Sequence, residues 1–432
     1  MNNNDTIFAL SSGHGKSGVA VIRISGGNLH DMAETMLTRT PRPRNAHFVN
    51  LTDSTGEIID QCLLLYFPSP HSFTGEDVIE IHCHGAPAVV EKIFEYLGNS
   101  GARMATPGEF SRRAFYNNKM DLADVDGLAA LLDAQTDRQR KSALKSMMGG
   151  DSRIYDAWRA QMVEIAAYAA AMLDYADDEL PANIGEKIRA RTQNLYEEIK
   201  TALSRYAAAR AVRSGFNITL AGKPNVGKSS IFNRLVGTNR AIVSDIAGTT
   251  RDVISASLDI DGYLVNLSDT AGLRDETVDK IEKIGIEKTK SEIENADLIL
   301  RIYDAPASTH VTANEILVIN KCDIHQKKNI PDAVYVSAKT GDGIDELMSA
   351  IKQKIHALIG TAESDLAINA RTRTLLTDAA AELNNALTLA DENYDIFSEH
   401  VRRASDDIGK ILGTITTTEV MDATFSQLCL GK

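Results

Sequence analysis

The chain has 432 residues, 43% of them hydrophobic and 24% charged, which is enough apolar material for more than one core and suggests about three domains. Forty-six Lys and Arg against 59 Asp and Glu leave a net charge of −13, which excludes a globally basic nucleic-acid binder, so any RNA contact must come from a local patch or from a partner. Cys62, Cys83, Cys322 and Cys429 are too few and too widely spaced for a disulfide framework and fit a reducing, cytoplasmic setting, while the start MNNNDTIFAL does not read as a secretory signal and no run reaches the roughly 18 apolar residues of a membrane span.

Residues 1–118 are predicted to be mixed α/β. Val19–Ile24 and Cys62–Phe67 are apolar β-type runs. Val78–His84 alternates Val78, Glu80, His82 and His84 against Ile79, Ile81 and Cys83, the periodicity of a strand. Gly and Pro punctuate between these runs, and Ala88–Leu97 reads as a helix. Gly13-His14-Gly15-Lys16-Ser17-Gly18 reads as a turn before the Val19 strand rather than as a phosphate loop. His82-Cys83-His84 invites a zinc reading, but a strand sends Cys83 to the face opposite the two histidines, a poor start for one tetrahedral site.

From about Lys119 the texture becomes helical up to Val212, with Met162, Ile165, Ala166, Ala169 and Leu173 on one face. Strand–loop–helix units then run from about 213 to 359. Residues 360–432 return to helix, with one stripe of Leu376, Ala379, Ala380, Leu383 and Leu387 and another of Ile408, Ile411, Leu412 and Ile415. Two helical stretches around an α/β unit suggest an insertion, with the helices packing into one bundle and the inserted unit projecting from it.

Phe216–Ala221 reads as a buried strand running into Gly222-Lys223-Pro224-Asn225-Val226-Gly227-Lys228-Ser229, which fits G-x-x-x-x-G-K-[ST], with a helix from Ser230 onward. In that context backbone N–H groups of Asn225, Val226, Gly227 and their neighbours turn inward on phosphate oxygens. Lys228 supplies a point charge near the β and γ phosphates, and the Ser229 hydroxyl can ligate Mg²⁺. Leu264–Ser268 leads to Asp269-Thr270-Ala271-Gly272, where Asp269 is a second-shell Mg²⁺ carboxylate and Gly272 lets backbone meet a γ-phosphate. Between them Gly248-Thr249-Thr250-Arg251-Asp252 offers a threonine that can close onto Mg²⁺. Ile316–Ile319 leads to Asn320-Lys321-Cys322-Asp323. Asp323 can accept from the ring N–H and exocyclic amine of guanine, and Ser337-Ala338-Lys339 would complete the base pocket, so GTP is the expected nucleotide. Leu273 follows DTAG where the Ras pattern has Gln. A leucine cannot orient the attacking water, which leaves Asn225, Asp275, Glu276, Asp279 and Glu282 as candidates.

The set GKPNVGKSS, DIAGTTRD, DTAGLR and NKCD resembles the TrmE–Era–EngA group of GTPases. The amino-terminal DTIFAL, GVAVIRISG, HSFTGEDVIEIHCHG and TPGEFSRRAFYNNKMDLADVDGLAALLDA, with the C-x-G-K ending Cys429-Leu430-Gly431-Lys432, are similar to the family of tRNA modification GTPases called MnmE or TrmE, over nearly the whole chain. The resemblance implies a multidomain α/β and all-α protein. Residues 1–118 would be an α/β tetrahydrofolate-binding and dimerisation domain. Residues 119–212 and 360–432 would be the two parts of a helical bundle, and 213–359 an inserted Ras-like P-loop G domain.

It further implies a cytoplasmic homodimer that joins an FAD-containing MnmG-like partner in a heterotetramer. The complex would modify carbon 5 of the wobble uridine of certain tRNAs with a one-carbon unit from a 5-formyl- or 5,10-methylene-tetrahydrofolate. GTP hydrolysis would depend on K⁺. By motif match, Asn225 and the segment from Ser244 to Thr249, with Ser244, Ile246 and Thr249 as ligands, would hold K⁺. Ser229 and Thr250 would hold Mg²⁺. Nucleotide contacts would also come from Ser230, Asp245, Ala247, Gly248, Thr270, Ala271, Asn320 and Lys321. Glu282, in Ile281-Glu282-Lys283-Ile284-Gly285-Ile286-Glu287, would orient the water, and Arg23, Glu80, Lys119 and Lys432 would face the folate. Cys429 reads better as a small residue near the folate than as a nucleophile. The alternative reading, an Era-like switch in ribosome assembly, calls for an RNA-binding appendage such as a KH unit, which the C-terminal segment lacks. A membrane-remodelling GTPase would need an amphipathic basic helix or a span.

Overall fold

The computed structural model describes residues 5–174, 183–238, 240–242, 254–269, 293–305, 312–325, 330–359, 366–389, 393–415, 418–426, 428, 429 and 431. The chain forms two compact units: Met1–Ala129 with Ser146–Ala170 and Ser398–Lys432, and Ala130–Lys145 with Ala171–Phe397. In chain order the first unit opens with β1 (Ile7–Leu10), β2 (Ser17–Gly26), α1 (His30–Leu37), β3 (His47–Thr52), β4 (Ile58–Phe67), β5 (Asp77–Gly85), α2 (Pro87–Asn99), β6 (Arg103–Met104) and α3 (Glu109–Tyr116). Then come α4 (Leu122–Leu132), α5 (Asp137–Met147), α6 (Gly150–Asp174), α7 (Ile184–Ser204) and α8 (Tyr206–Ser214). The next stretch is β7 (Phe216–Ala221), α9 (Lys228–Thr238), β8 (Arg240–Ile242), β9 (Ile254–Ile260), β10 (Tyr263–Asp269), β11 (Leu298–Tyr303), β12 (Glu315–Ile319), β13 (Ala333–Tyr335) and α10 (Ile344–Ile359). It closes with α11 (Ala370–Thr388), α12 (Tyr394–Leu412) and α13 (Thr418–Phe425).

The first sheet has the order β3-β4-β5-β2-β1-β6, antiparallel throughout except for the β1–β6 pair. Alternation along its strands separates two faces. Ile22, Ile24, Leu64, Ile79, Ile81 and Cys83 point into a core closed by Ala33 and Met36 of α1 and Ile93 and Leu97 of α2. The other face carries Arg23, Glu80, His82, Leu63 and Phe48. Arg23 sits opposite Glu80, and Phe48, Leu63, His82 and Val21 are consecutive register partners across four strands. The three apolar runs of the sequence are these strands, each extended by flanking polar residues that ladder pairing recruits.

In the helical part of the same unit, Leu122, Val125 and Leu128 of α4 pack on Met421 and Phe425 of α13 and on Leu428. Phe115 meets the Phe425 ring edge-on at 6.0 Å, and the Arg112 guanidinium lies 5.3 Å over it. The start of α4 is a reciprocal cap: Asp124 N donates to Asp121 Oδ1 (2.8 Å) and Asp121 N to Asp124 Oδ2 (3.1 Å). Burial raises both carboxyls, and the neighbouring Asp121 charge helps push Asp124 up to about 6. A folded-state pKa above the unfolded value of about 3.8 means that the native form holds the extra proton. This contribution to stability is fully present below about pH 4 and lost as pH rises through about 6. Asp124→Asn does not titrate. Relative to wild type it is expected to gain about 1 kcal/mol, after allowance for solvent screening, between pH 4.5 and pH 7.5 in denaturant titrations. An identical difference at the two pH values would contradict this.

The second sheet has the order β13-β12-β11-β7-β10-β9-β8, parallel from β13 to β10 and antiparallel at β9 and β8. Its central strand β7 sends Phe216, Ile218 and Leu220 into a core shared with Ile231 and Leu235 of α9, Leu300 and Ile302 of β11 and Leu347 and Ile351 of α10. This is a Ras-like P-loop arrangement, with the P-loop at the C-terminal end of a central parallel strand. In the same unit α7 packs on α11, whose last carbonyls are capped by Arg189, donating to Leu387 O (3.3 Å) and Leu389 O (2.8 Å). The helical stripes are buried as expected at Met162, Ile165 and Ala169 and at Leu376, Ala379 and Leu383, but Leu173 and Ile415 are exposed. Both sit at the ends of their stripes, where periodicity continues past the packed surface. Among the described residues no helix is long and apolar enough to cross a membrane.

Candidate functional site

The loop between β7 and α9 takes its shape from three residues of left-handed or extended glycine-like backbone: Gly222 at φ +158, Asn225 at φ +65 and Gly227 at φ +95. A Cβ on Gly222 would collide with the Ile302 carbonyl and one on Gly227 with the Asn320 amide, so both glycines are required by close approach. Lys228 is buried, and its ammonium donates to Gly222 O (2.9 Å) and Lys223 O (3.2 Å), which holds the charge beneath the loop. Ser229 Oγ donates to Asp269 Oδ2 at 2.6 Å. Asp269, at the end of β10, is buried beside the central strand, so two hard oxygen groups converge at the start of α9.

The second part of this constellation lies after β12 and β13. Asn320 braces two loops at once, donating from Nδ2 to Val226 O (2.8 Å) and accepting from Ala338 N on Oδ1 (3.1 Å). Lys321, at φ +62, spans from Asn225 O (3.0 Å) to Asp304 Oδ2 (3.4 Å). Ser337 Oγ donates to Asp323 Oδ1 (2.8 Å), which orients the carboxylate. Arg234 of α9 donates to Lys339 O (3.0 Å). Asn225, Val226, Gly227, Lys228, Ser229, Ser230, Asp269, Asn320, Lys321, Asp323, Ser337, Ala338 and Lys339 thus belong to adjoining loops at one end of the sheet. Ser244, Asp245, Ile246, Ala247, Gly248, Thr249, Thr250, Thr270, Ala271, Gly272 and Glu282 lie outside the described residues, as do Leu273 and the alternatives Asp275, Glu276 and Asp279.

In the first unit, Arg23 donates from Nε (3.0 Å) and Nη2 (2.8 Å) to Glu80 Oε1 and from Nη1 to Gly431 O (3.2 Å). The Phe73 and Phe110 rings lie 5.0 and 5.9 Å from its guanidinium carbon. His82 Nε2 is 3.4 Å from Glu80 Oε2, and His84 pairs with Asp60 (2.8 Å), so each histidine already has a carboxylate partner. Cys83 points to the other face, where burial pushes its thiol up to about 11. Lys119 is exposed and lies against Gly75, on the same loop that delivers Phe73. The structure therefore joins Arg23 and Glu80 directly and relates Lys119 to them only through that loop. Lys432 lies outside the described residues. Single-residue reasoning missed Phe73 and Phe110. Both stood within HSFTGED and TPGEF, where an aromatic beside a Gly or Pro turn is the available signal.

Beside this pair is a partly buried ion network. Glu109 accepts from Arg103 Nη2 (2.5 Å), Thr106 N (2.8 Å) and Thr106 Oγ1 (3.2 Å), and Arg113 bonds Asp5 (2.7 Å) and Glu76 (2.9 Å). Burial alone would raise the Glu109 carboxyl. The Arg103 and Thr106 bonds and the two arginine charges outweigh burial and hold it down at about 2.

Residues 6–119 match the family described as GTP-binding protein TrmE N-terminus, and residues 122–429 match the MnmE helical domain. The tRNA modification GTPase MnmE of Brucella canis is 39% identical over 436 residues, covering 99% of this chain and 98% of its own. That of Bartonella henselae is 39% identical over 435 residues, covering 99% of this chain and all of its own. Among solved structures, the G domain of the T. maritima FeoB iron transporter is 27% identical, covers 34% of this chain and 99% of its own, and has a TM-score of 0.24.

Proposed function

Because this chain belongs to the family of the tRNA modification GTPase MnmE, we propose that it is a K⁺-dependent GTPase that modifies carbon 5 of the wobble uridine of certain tRNAs in the cytoplasm, using a tetrahydrofolate one-carbon unit and an FAD-containing MnmG-like partner. One observation carries most weight: the C-terminal segment lies on the Arg23–Glu80 pair in a chain that also builds a P-loop. An Era-like switch has no use for that first constellation.

In this reading residues 1–118 bind folate and dimerise, 119–212 and 360–432 form the helical domain, and 213–359 are the G domain. The neighbouring side chains Phe48 (64% exposed) and Leu63 (40% exposed) support a homodimer, since they leave apolar surface open at the β3–β4 end of that sheet face.

For GTP, the loop N–H groups and Lys228 hold the β and γ phosphates, and Asp323 with Ser337, Ala338 and Lys339 reads guanine. Ser229 and Thr250 are assigned to Mg²⁺. The 2.6 Å Ser229–Asp269 contact fits that assignment, because both groups are hard oxygen donors. Mg²⁺ would neutralise charge on the phosphates. Asn225, Ser244, Ile246 and Thr249 are assigned to K⁺. Glu282 is assigned to hold the attacking water, a task the apolar Leu273 cannot perform. At the folate, Glu80 accepts from the N–H and amine of a pterin, while Arg23, Lys119 and Lys432 meet its carboxylates or carbonyls.

Turnover in matched KCl and NaCl buffers tests the G-domain assignments. Hydrolysis is expected to be markedly faster in KCl. Glu282→Ala is expected to cut turnover roughly 100-fold with GTP affinity near normal, since a water-orienting group acts mainly in the transition state. Equal rates in the two salts would remove the K⁺ assignment, and normal turnover in the variant would remove Glu282.

A further inference from the structure

We propose that Ser11 and Gly108 are positioning residues that seat the C-terminal segment as one wall of the Arg23–Glu80 site; the inference rests on the folate reading of that site.

The seat begins with the ion network. Glu109 bonds both Thr106 N and Thr106 Oγ1, which fixes the turn Thr106-Pro107-Gly108 at the start of α3. Gly108 then takes φ +70, a conformation that favours glycine, and a Cβ there would overlap the Phe425 carbonyl. The same residue donates its N–H to Cys429 O (3.4 Å), and the Phe425 ring is anchored between Phe115 and Arg112. The end of α13 is therefore seated on a point that has no side chain.

The second point lies two residues beyond Cys429. Gly431 is at φ +88, and a Cβ on it would come within 2.5 Å of Leu10 O and 2.7 Å of Ser11 Cα. Its carbonyl accepts from Ser11 Oγ (3.0 Å) and from Arg23 Nη1 (3.2 Å). Ser11 is itself held by its backbone N–H on Val21 O (2.7 Å). Cys429 thus has a backbone anchor at its own carbonyl and another two residues on.

The doubled donor on Gly431 matters because Arg23 is shared. The same guanidinium serves Glu80 Oε1 with two N–H groups. A ligand that carries a carboxylate competes with Gly431 O for the guanidinium and would draw Arg23 away from the tail. Ser11 keeps Gly431 in place when Arg23 turns to the ligand. Its hydroxyl bonds the tail carbonyl, so it acts through the tail.

The test uses the full chain with Ser11→Ala, Ser11→Thr and Gly108→Ala. Three readouts are taken: hydrogen exchange of the peptide spanning residues 425–432, calorimetric titration with 5-formyl-tetrahydrofolate, and GTP turnover as a control on folding. Ser11→Ala is expected to speed tail exchange and weaken folate binding about five-fold, the loss of one hydrogen bond. Ser11→Thr retains the hydroxyl and is expected to restore both. Gly108→Ala is expected to free the tail more completely, with turnover unchanged in all three. Tail exchange that stays at the wild-type rate in both Ser11→Ala and Gly108→Ala would overturn the seat. Faster tail exchange with unaltered folate affinity would overturn the positioning role. Wild type that fails to bind the folate would instead overturn the folate reading, and with it the positioning role; the seat is then decided by the exchange rates alone.

Discussion

Asp323→Asn is expected to lower GTP affinity roughly 100-fold or more and to raise affinity for xanthosine triphosphate. Guanine presents two donors, the ring N–H and the exocyclic amine, and a carboxylate supplies two acceptors for them. Ser337 Oγ already donates to Asp323 Oδ1, which orients the carboxylate. An asparagine keeps one acceptor and turns the other into a donor, which faces the guanine amine and desolvates a polar group without a partner. Xanthine carries a carbonyl where guanine carries the amine, so the same amide donor now has an acceptor. The Asn320 bridge from Val226 O to Ala338 N does not involve the replaced group, so the loops should stay in place. Equilibrium titration with the two nucleotides decides it. Unchanged GTP affinity, or no gain for xanthosine triphosphate, would contradict the role given to Asp323.

Removing Cys429–Lys432 is expected to abolish wobble-uridine modification while GTP turnover remains within about two-fold of wild type, a difference of about 0.4 kcal/mol in the barrier. The segment lies in the first unit, on Ser11, Arg23 and Gly108, whereas Lys228, Ser229 and Asp323 belong to the second. Truncation leaves Phe425 and Leu428 in their apolar cluster, so the fold of the first unit loses little. What it loses is the carbonyl that takes Arg23 Nη1 and the terminal lysine assigned to the folate. Calorimetry with 5-formyl-tetrahydrofolate, beside a GTPase assay and analysis of modified tRNA, separates the two effects. Normal modification by the truncated chain would show that the tail is no part of the site.

The P-loop was legible because its chemistry is local. G-x-x-x-x-G-K-S between a buried strand and a helix allows few other structures, and Gly222 and Gly227 are demanded by the close approach of the Ile302 carbonyl and of the Asn320 side-chain amide. The strands around Arg23 and Glu80 were legible from alternation, and their register then sets the two residues opposite each other. Sequence spacing could not say that Gly431 bonds an arginine 408 positions away, because such a contact is set by tertiary packing of α13 on α3 and α4. Nor could it show that Phe73 and Phe110 floor the guanidinium. Aromatics beside turns are also common as plain core, and only the folded loop decides which they are. The stripe ends Leu173 and Ile415 failed for the same reason, since periodicity reports a helix face but not where its partner stops.

The most direct measurement is mass spectrometry of wobble uridines in tRNA from cells that lack this chain, with and without a restored copy. Loss of the carboxymethylaminomethyl-type group at carbon 5, and its return with the full chain, is the expected result. Fully modified wobble uridines in cells that lack the chain would contradict a role in tRNA modification, whatever the protein does with GTP.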